Sequence, residues 1–264
     1  MKYLVTGGCG FIGSHIAEAL VRDGHEVAIL DNLSSGNVEN IASFRDSIRF
    51  VRGDVRDPDA CRSAAEGVDV VFHEAALVSV FESVDRPLYN QEVNIGGTLN
   101  MLEAAREAGA RRLVFAASAA AYGNDPELPK REDMRPEPES PYAVAKVTGE
   151  HYCRVFSRLY GLDTAVLRYF NVYGPRQDPS SMYSGVISRF TEGILREKRV
   201  TVFGDGGQTR DFVFVADVVQ ANMLAANSSA PVNGRIFNVA TGVRTSLQDL
   251  LNAFRDLTGE DFEV

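Results

Sequence analysis

A tyrosine and a lysine, Tyr142 and Lys146, stand four residues apart in the run SPYAVAK. Ser140 is a favourable cap for a helix start and Pro141 suits the first helical position, so the run predicts a helix that ends near Gly161. This spacing places both side chains on one helix face. An ammonium beside a phenol favours the phenolate, so we expect the pKa of Tyr142 to be lowered toward neutrality. Such a phenolate can take a proton from an alcohol.

A third group, the hydroxyl of Ser118, ends the apolar run RRLVFAAS, which predicts a buried strand. At a strand end it can hydrogen-bond the oxygen of a reacting alcohol, or it can simply cap the strand. A Y-x-x-x-K pair on its own is more often an exposed pair on an amphipathic helix. The catalytic interpretation therefore depends on what else the fold brings to the site.

A glycine-rich turn near the N-terminus supplies that context. KYLVTGG predicts a buried strand and SHIAEALVRDG a helix, and Gly7, Gly10 and Gly13 lie between them as G-x-x-G-x-x-G. Without a Cβ the backbone can turn tightly and approach a ligand, and the amides at the helix start favour a pyrophosphate. The next strand ends in Asp31, eighteen residues after Gly13. An acidic residue there binds ribose hydroxyls and repels a 2′-phosphate, which predicts NAD rather than NADP.

Strand-like and helix-like runs alternate along the chain, and the strands are apolar throughout. This pattern predicts an α/β fold, a Rossmann-like doubly wound parallel sheet with a smaller α/β substrate-binding cap. We expect an NAD-binding domain over residues 1–173, to which segments near 208–226 and 236–240 return. The cap is expected over residues 174–264, beginning with a loop at 174–185.

Composition narrows the class of protein. The chain has 264 residues and a net charge of −9, which argues against partners such as nucleic acid or an anionic membrane. Three cysteines, an odd number without CxxC spacing, favour a reducing, cytoplasmic location. The four histidines show no metal-ligand spacing, so no metal site is expected. The N-terminus is predicted to be the first strand, with no separate leader.

Several runs together resemble the extended short-chain dehydrogenase/reductases that act on nucleotide sugars, most nearly the NAD-dependent UDP-hexose 4-epimerases of the UDP-glucose and UDP-N-acetylglucosamine types. They are TGGCGFIG, DNLSSG, GDVRD, FHEAA, SAAAYG, SPYAVAK, LRYFNVYGPRQDP and GDGGQTRDFVFV. The resemblance covers essentially the whole chain. It implies epimerisation at C4 of a UDP-hexose through a transient 4-keto intermediate, and a homodimer. It also implies a chain that continues beyond Val264, so that the cap is C-terminally incomplete and lacks the residue that selects the sugar.

The resemblance also implies roles for individual positions. For NAD it implies Gly7, Gly10, Phe11, Ile12 and Gly13 at the pyrophosphate, Asp31 and Asn32 at the adenosine ribose, Asp54 and Val55 beside adenine, Ala75, Ala76 and Leu77 on the path to nicotinamide, and Tyr142 and Lys146 at the nicotinamide ribose. For the substrate it implies Ser118 and Tyr142 at the sugar, Asn171 at a phosphate, Val186 and Phe203 at the uracil, and Arg210 at the diphosphate. Alternatively, Arg210 is a solvated side chain paired with Asp211 or Asp205.

Other functions stay open. Ala119 and Ala120 follow Ser118, where similar dehydratases and decarboxylases of nucleotide sugars carry acids, and this favours an epimerase. A UDP-glucuronate 4-epimerase needs no such acid and is an alternative, as is another nucleotide-sugar oxidoreductase that consumes its cofactor. A non-enzymatic NAD-binding regulatory protein would be expected to lose the serine, the tyrosine or the lysine, and all three are present.

Overall fold

The structure of the protein is a computed structural model that describes residues 1–178, 185–259 and 262–264. The strands are β1 (Lys2–Thr6), β2 (Glu26–Asp31), β3 (Ile48–Arg52), β4 (Val70–His73), β5 (Arg112–Ser118), β6 (Asp163–Tyr169), β7 (Asn171–Tyr173), β8 (Thr209–Arg210), β9 (Phe212–Phe214), β10 (Arg235–Val239) and β11 (Thr245–Ser246). The α-helices are α1 (Phe11–Arg22), α2 (Pro58–Ala65), α3 (Val80–Asp85), α4 (Pro87–Gln91), α5 (Gly97–Glu107), α6 (Pro141–Leu159), α7 (Val186–Glu192), α8 (Val215–Asn227) and α9 (Leu247–Thr258). The described residues also contain two 3₁₀ segments, Val38–Ser47 and Ala119–Tyr122, and two π-helical turns, Glu92–Gly96 and Gly193–Glu197.

In the described part of the chain, seven strands form one parallel sheet in the order β10-β6-β5-β4-β1-β2-β3. Leu4, Ile29, Val71 and Val166 on four of these strands are fully buried, as expected where helices cover both faces. The strand order reverses direction beside β1, whose neighbours are β2 and β4. Open α/β sheets bind ligands at such a reversal, beyond the carboxyl ends of the strands. The predicted Rossmann-like α/β fold is confirmed.

The chain divides into two compact units. Unit 1 comprises Met1–Tyr169 and Ala216–Val239, and unit 2 comprises Phe170–Val215 and Ala240–Val264. The return to unit 1 therefore begins at Ala216 rather than near residue 208, and unit 2 begins at Phe170 rather than at residue 174. The roles of these units as NAD-binding and substrate-binding domains stay predictions.

Unit 2 has a small apolar core of its own. Phe190, Ile194, Val200 and Leu251 are buried against one another. Two short strand pairs, β7 with β9 in parallel and β8 with β11 in antiparallel, lie in the same unit. Helix α9 begins at a capping box, in which Ser246 and Asp249 satisfy each other's backbone amides.

The apolar run DTAVLRYFNV predicts a single strand, and VTVFGDGGQTRDFVFV predicts two short strands around a glycine-rich turn. These two predictions of local structure are wrong. The run DTAVLRYFNV does not form one strand, because the chain leaves the large sheet at Phe170 and Asn171 N then donates to Asp211 O instead. VTVF forms no strand, since its Val200 N donates to Glu263 O and not to a neighbouring strand, and β8 and β9 both follow the glycine-rich turn. The helix predicted from residue 88 to 108 is confirmed as one continuous helical run, formed by α4, a π-helical turn and α5, and α3, which was not predicted, precedes it. Of the loop predicted over residues 174–185, residues 179–184 lie outside the described residues.

Candidate active site

The glycine turn between β1 and α1 leaves no room for side chains. Gly7 has φ +65, and a Cβ there would lie 2.9 Å from both the N and Cα atoms of Ala75. A Cβ on Gly13 would overlap the carbonyl oxygen of Gly7 and lie 3.0 Å from Gly8 Cα. The turn is closed by a hydrogen bond from Gly10 N to Gly7 O at 3.0 Å. Glycine at these positions is therefore required for the local backbone, as predicted from the sequence.

The start of α1 suits an anion. Gly10 caps the helix without a side-chain hydrogen bond, and the first turn, which begins with Phe11 and Ile12, contains no acidic residue. The first amide N–H groups of a helix lack intrahelical acceptors, and they carry the positive end of the helix dipole. A cradle that a Cβ would fill, followed by such amides, fits the pyrophosphate of a dinucleotide.

The acidic residue at the end of β2 is held in a fixed orientation beside this turn. Asp31 is buried, and its two carboxylate oxygens accept hydrogen bonds from Cys9 N at 2.9 Å and Leu33 N at 2.8 Å. Asn32 is next to it and donates through Nδ2 to Asp54 Oδ2 at 2.9 Å. Each carboxylate oxygen can accept a further bond, so Asp31 keeps the capacity to bind ribose hydroxyls.

Asp54 and Val55 differ in what they offer a ligand. The guanidinium of Arg56 binds both oxygens of Asp54, at 3.0 and 2.8 Å, and these hydrogen bonds lower the pKa of Asp54 to about 2. Val55 instead belongs to the apolar core, and its carbonyl accepts from Asn100 Nδ2 at 2.9 Å. The structure thus brings Asp54 beside Asn32, whereas the side chain of Val55 packs inward.

The segment after β4, which contains Ala75, Ala76 and Leu77, is partly buried and held by polar side chains. Ala75 N donates to Thr6 Oγ1 at 3.1 Å, and Leu77 N donates to Asn94 Oδ1 at 2.8 Å. Sequence reasoning missed both Thr6 and Asn94. A signal was present for Asn94, because polar residues recur every four positions at Asn90, Asn94 and Thr98 within an otherwise apolar helix face.

Tyr142 and Lys146 lie at the start of α6, as predicted. Ser140 caps the helix by accepting from Ala143 N at 3.1 Å, with Pro141 in the first turn. Lys146 is buried, and its Nζ donates to Ala116 O on β5 at 2.7 Å. The same Nζ lies 5.8 Å from the centre of the Tyr142 ring.

The pKa of Tyr142 differs from the value expected from the sequence. Burial raises the pKa of Tyr142, Glu74 adds to the rise, and a hydrogen bond with Ser118 acts in the opposite direction. Burial lowers the pKa of Lys146 to about 8. The expected lowering of the pKa of Tyr142 is therefore wrong for these surroundings, because removing the phenolate from water outweighs the neighbouring groups. The structure does bring Ser118, Tyr142 and Lys146 together.

Unit 2 contains a cavity of about 240 Å³. Four residues of this unit were predicted to bind substrate, and three of them line the cavity: Asn171, Val186 and Arg210. Gln177 and Gln208, which sequence reasoning missed, line it as well. The fourth predicted residue, Phe203, is not among the lining residues, and 78% of its surface is exposed.

The two polar residues predicted for this cavity have backbone partners. Asn171 Nδ2 donates to Asp211 O at 3.0 Å, and Arg210 Nη1 donates to Thr209 O at 2.8 Å. Asp211 binds Thr241 and not Arg210. In the parts of unit 2 that are described, Arg210 forms no ion pair, so the alternative pairing with Asp211 is not what the structure has.

Comparison with known proteins identifies the family. The family model of the NAD dependent epimerase/dehydratase family matches residues 3–240. The chain belongs to this family. It is 45% identical over 263 residues to the UDP-glucose 4-epimerase of Mycolicibacterium smegmatis, covering 98% of this chain and 83% of that protein.

Two solved structures of the NAD-dependent epimerase/dehydratase family are similar over this whole chain. One is the UDP-N-acetylglucosamine 4-epimerase of Methanobrevibacter ruminantium in complex with UDP-N-acetylmuramic acid, with a TM-score of 0.95, 39% identity and 84% of that chain covered. The other is the UDP-glucose 4-epimerase of Thermus thermophilus in complex with NAD, with a TM-score of 0.89, 42% identity and 85% of that chain covered.

Two further properties concern membranes and metals. Among residues 1–178, 185–259 and 262–264, no helix has both the length and the apolar composition to cross a membrane. The same residues contain no group of three or more His, Cys, Asp or Glu side chains that could hold a metal ion.

Proposed function

We propose that this protein is an NAD-dependent UDP-hexose 4-epimerase, which inverts C4 of the sugar through a transient 4-keto intermediate. The observation that carries the proposal is that one unit combines a glycine turn without room for a Cβ with the group Ser118, Tyr142 and Lys146. The named activities of the relatives support it.

The residues of unit 1 would handle the proton. Tyr142 removes the proton of the sugar 4-hydroxyl and, once the intermediate has turned its other face to the hydride donor, returns it to the oxygen of the 4-keto group. Ser118 holds the reacting oxygen through its hydroxyl group, and Lys146 stabilises the phenolate by its charge. When bound, NAD⁺ accepts and returns the C4 hydride, and its positive ring favours the phenolate of Tyr142.

The glycine turn and Asp31 would hold the cofactor. The amides at the start of α1 bind the pyrophosphate, and Gly7, Gly10 and Gly13 let it approach the backbone. Asp31 accepts from the ribose hydroxyls and excludes a 2′-phosphate by charge, so we propose NAD rather than NADP.

The cavity of unit 2 would hold the UDP part of the substrate. Arg210 offers a planar fork of donors to the diphosphate and Asn171 offers an amide. Val186 provides an apolar wall for the uracil ring. Phe203 stays a proposed uracil contact on sequence grounds alone, because it does not line this cavity.

The sugar pair is proposed to be UDP-glucose with UDP-galactose, or UDP-N-acetylglucosamine with its 4-epimer. UDP-glucuronate is the alternative, since Ala119 and Ala120 offer no acid for elimination.

Two observations bear on the assembly and the location. Leu88 and Leu159 expose 75% and 71% of their surfaces, which supports a homodimer through the helical face formed by α4, α5 and α6. Three buried free cysteines support the cytoplasm.

The experiment is to incubate the purified protein separately with the three UDP-sugars, without added NAD, and to separate the products. We expect interconversion of one 4-epimer pair. Tyr142→Phe is expected to lose turnover while retaining bound NAD, detected by its release on denaturation. Turnover that requires stoichiometric NADH would identify a reductase instead, and an unimpaired Tyr142→Phe variant would remove the proposed base.

A further inference from the structure

Glu74 is a carboxylate that none of the roles above uses. It follows β4 directly, and its backbone lies against the glycine turn, because a Cβ on Gly7 would be 3.1 Å from Glu74 C. Its Oε1 accepts a hydrogen bond from the hydroxyl group of Tyr169 at 2.8 Å. Tyr169 in turn is paired with Ser118 in the register of β5 and β6. The carboxylate is therefore held next to the strand ends that carry the proposed chemistry.

The direction of this hydrogen bond follows from Asn222 on α8. Asn222 is fully buried, and its Nδ2 donates both to Val218 O at 2.8 Å and to the Tyr169 hydroxyl oxygen at 2.7 Å. The carbonyl of Val218 can only accept, so this atom of Asn222 must be the amide nitrogen. The single hydroxyl hydrogen of Tyr169 is then left for Glu74. The chain from Asn222 through Tyr169 to Glu74 holds the carboxylate as an acceptor.

Lys146 is close to this carboxylate. Strands β4 and β5 pair up to His73 and Phe115, so Glu74 follows the last pair, and Ala116 follows Phe115 on β5. The carbonyl that Lys146 Nζ binds at 2.7 Å is that of Ala116. The negative charge of Glu74 raises the pKa of Lys146, and that of Glu150 acts in the same direction.

We propose that Glu74 is a positioning residue that keeps Lys146 in its ammonium form, with Tyr169 and Asn222 holding the carboxylate in place. The inference rests on the proposed function for its purpose, since an ammonium at Lys146 is what favours the phenolate of Tyr142. The physical reason is that burial favours the neutral amine of a lysine, and a nearby negative charge opposes this.

The ionisable neighbours of Glu74 determine the sign of the effect. They are Tyr169 from β6 and both Lys146 and Tyr142 from α6, and α8 contributes the uncharged Asn222. Burial raises the pKa of Glu74 to about 7 and lowers that of Lys146 to about 8, so between these pH values most of the carboxylate is charged and most of Lys146 still holds its proton. Removing the carboxylate removes the attraction for that proton. The pKa of Lys146 must then fall, and its ammonium is lost at a lower pH.

The experiment is a carbon NMR titration of the protein labelled with ¹³C at the lysine Cε, with and without NAD. The sequence contains four lysines, at positions 2, 130, 146 and 198, and a Lys146→Arg variant identifies the signal of Lys146. In Glu74→Gln, which keeps the size and an acceptor for Tyr169, we expect the Lys146 midpoint to move to lower pH by about one unit, as loss of a nearby opposite charge does. The other three midpoints should not move.

The controls separate charge from structure. Glu74→Asp retains the charge and should keep the midpoint near that of the wild type. Glu103→Gln removes a carboxylate that pairs with Arg106 on the surface and should have no effect. Tyr169→Phe removes the hydrogen bond that favours the carboxylate and should shift the Lys146 midpoint in the same direction as Glu74→Gln, by less.

An unchanged Lys146 midpoint in Glu74→Gln overturns the proposal. If that variant does not fold, the wild-type titration decides: the Lys146 signal must show a second, smaller inflection near pH 7 where Glu74 ionises, and its absence overturns the proposal. The titration needs no substrate, so a protein without epimerase activity refutes the proposed function and not this inference. A shifted midpoint supports the inference whatever reaction the protein catalyses.

Discussion

Replacing Glu150 by glutamine should destabilise the protein more than any change at a surface ion pair. Glu150 lies on α6, one turn after Lys146, and both of its oxygens bind the guanidinium of Arg168 on β6 at 2.7 Å. The two side chains are 2% and 1% exposed. The guanidinium carbon also lies 4.6 Å from the centre of the Tyr122 ring. This buried pair fastens the helix that carries Tyr142 to the central sheet.

The magnitude follows from the burial. Removing one partner of a buried pair leaves an uncompensated charge and costs about 3–5 kcal/mol, whereas an exposed pair contributes about 0–1 kcal/mol. Glutamine keeps one oxygen acceptor for Arg168, so we expect the lower limit, about 3 kcal/mol. At about 2–4 °C per kcal/mol for a chain of this size, Tm should fall by about 6–12 °C.

The assay is thermal and urea unfolding followed by circular dichroism. Glu103→Gln is the matched control, because Glu103 pairs with Arg106 at 38% and 40% exposure and should lose less than about 1 kcal/mol. The double variant Glu150→Leu with Arg168→Met should recover most of the lost stability, since no charge is left buried. A loss for Glu150→Gln as small as that of the control would refute the reasoning.

Three further predictions concern the turn, the sheet and the surface. Gly13→Ala should abolish NAD binding, measured by calorimetry, because the new Cβ overlaps the carbonyl oxygen of Gly7. The control is Gly96→Ala, whose Cβ meets no atom closer than 3.9 Å. This variant should bind NAD normally, and its free energy of unfolding should rise by about 0.5–1 kcal/mol. Burial lowers the pKa of His73 to about 3, so the stability that its neutral ring contributes is complete above about pH 6.5 and is lost as the pH falls toward 3. Between these pH values the free energy of unfolding, measured with urea, should fall by up to about 1.4 kcal/mol per pH unit. The slope should be smaller in His73→Gln. If the proposed dimer forms through α4, α5 and α6, Leu88→Ser should shift sedimentation from dimer toward monomer, and an unchanged coefficient would refute that contact.

The features that sequence alone predicted are those set by short spacings. The roles of Gly7 and Gly13 were predictable because a tight turn between a strand and a helix requires glycine. The proximity of Tyr142 and Lys146 was predictable because they lie one helical turn apart. A parallel sheet followed from apolar runs that alternate with helical ones, although its seven strands were not counted from the sequence. In each case the information lies within about twenty residues, where periodicity and turn chemistry decide the structure.

The features that sequence did not predict depend on contacts between distant segments. The pKa of Tyr142 was expected to be lowered, but burial raises it, and burial is not readable from a four-residue spacing. The chain leaves the large sheet at Phe170 because β7 pairs with β9, about forty residues further on. Glu74 was visible as an acidic residue after a strand, but its partner Tyr169 lies 95 residues away.

Buried amides, together with the Ser140 cap, hold the start of α6 in place. The carbonyl of Pro141 accepts from Asn90 Nδ2 at 3.0 Å, Asn90 Oδ1 accepts from Asn94 Nδ2 at 2.7 Å, and Leu77 N donates to Asn94 Oδ1 at 2.8 Å. This chain joins the residue before Tyr142 to the segment expected beside the nicotinamide. Each group is at least partly buried and loses a partner if either end moves, at a penalty of about 1–3 kcal/mol. The spacing between Tyr142 and that segment is therefore maintained by the side chains of Asn90 and Asn94, to which no catalytic or binding role is assigned, as a preorganised site requires.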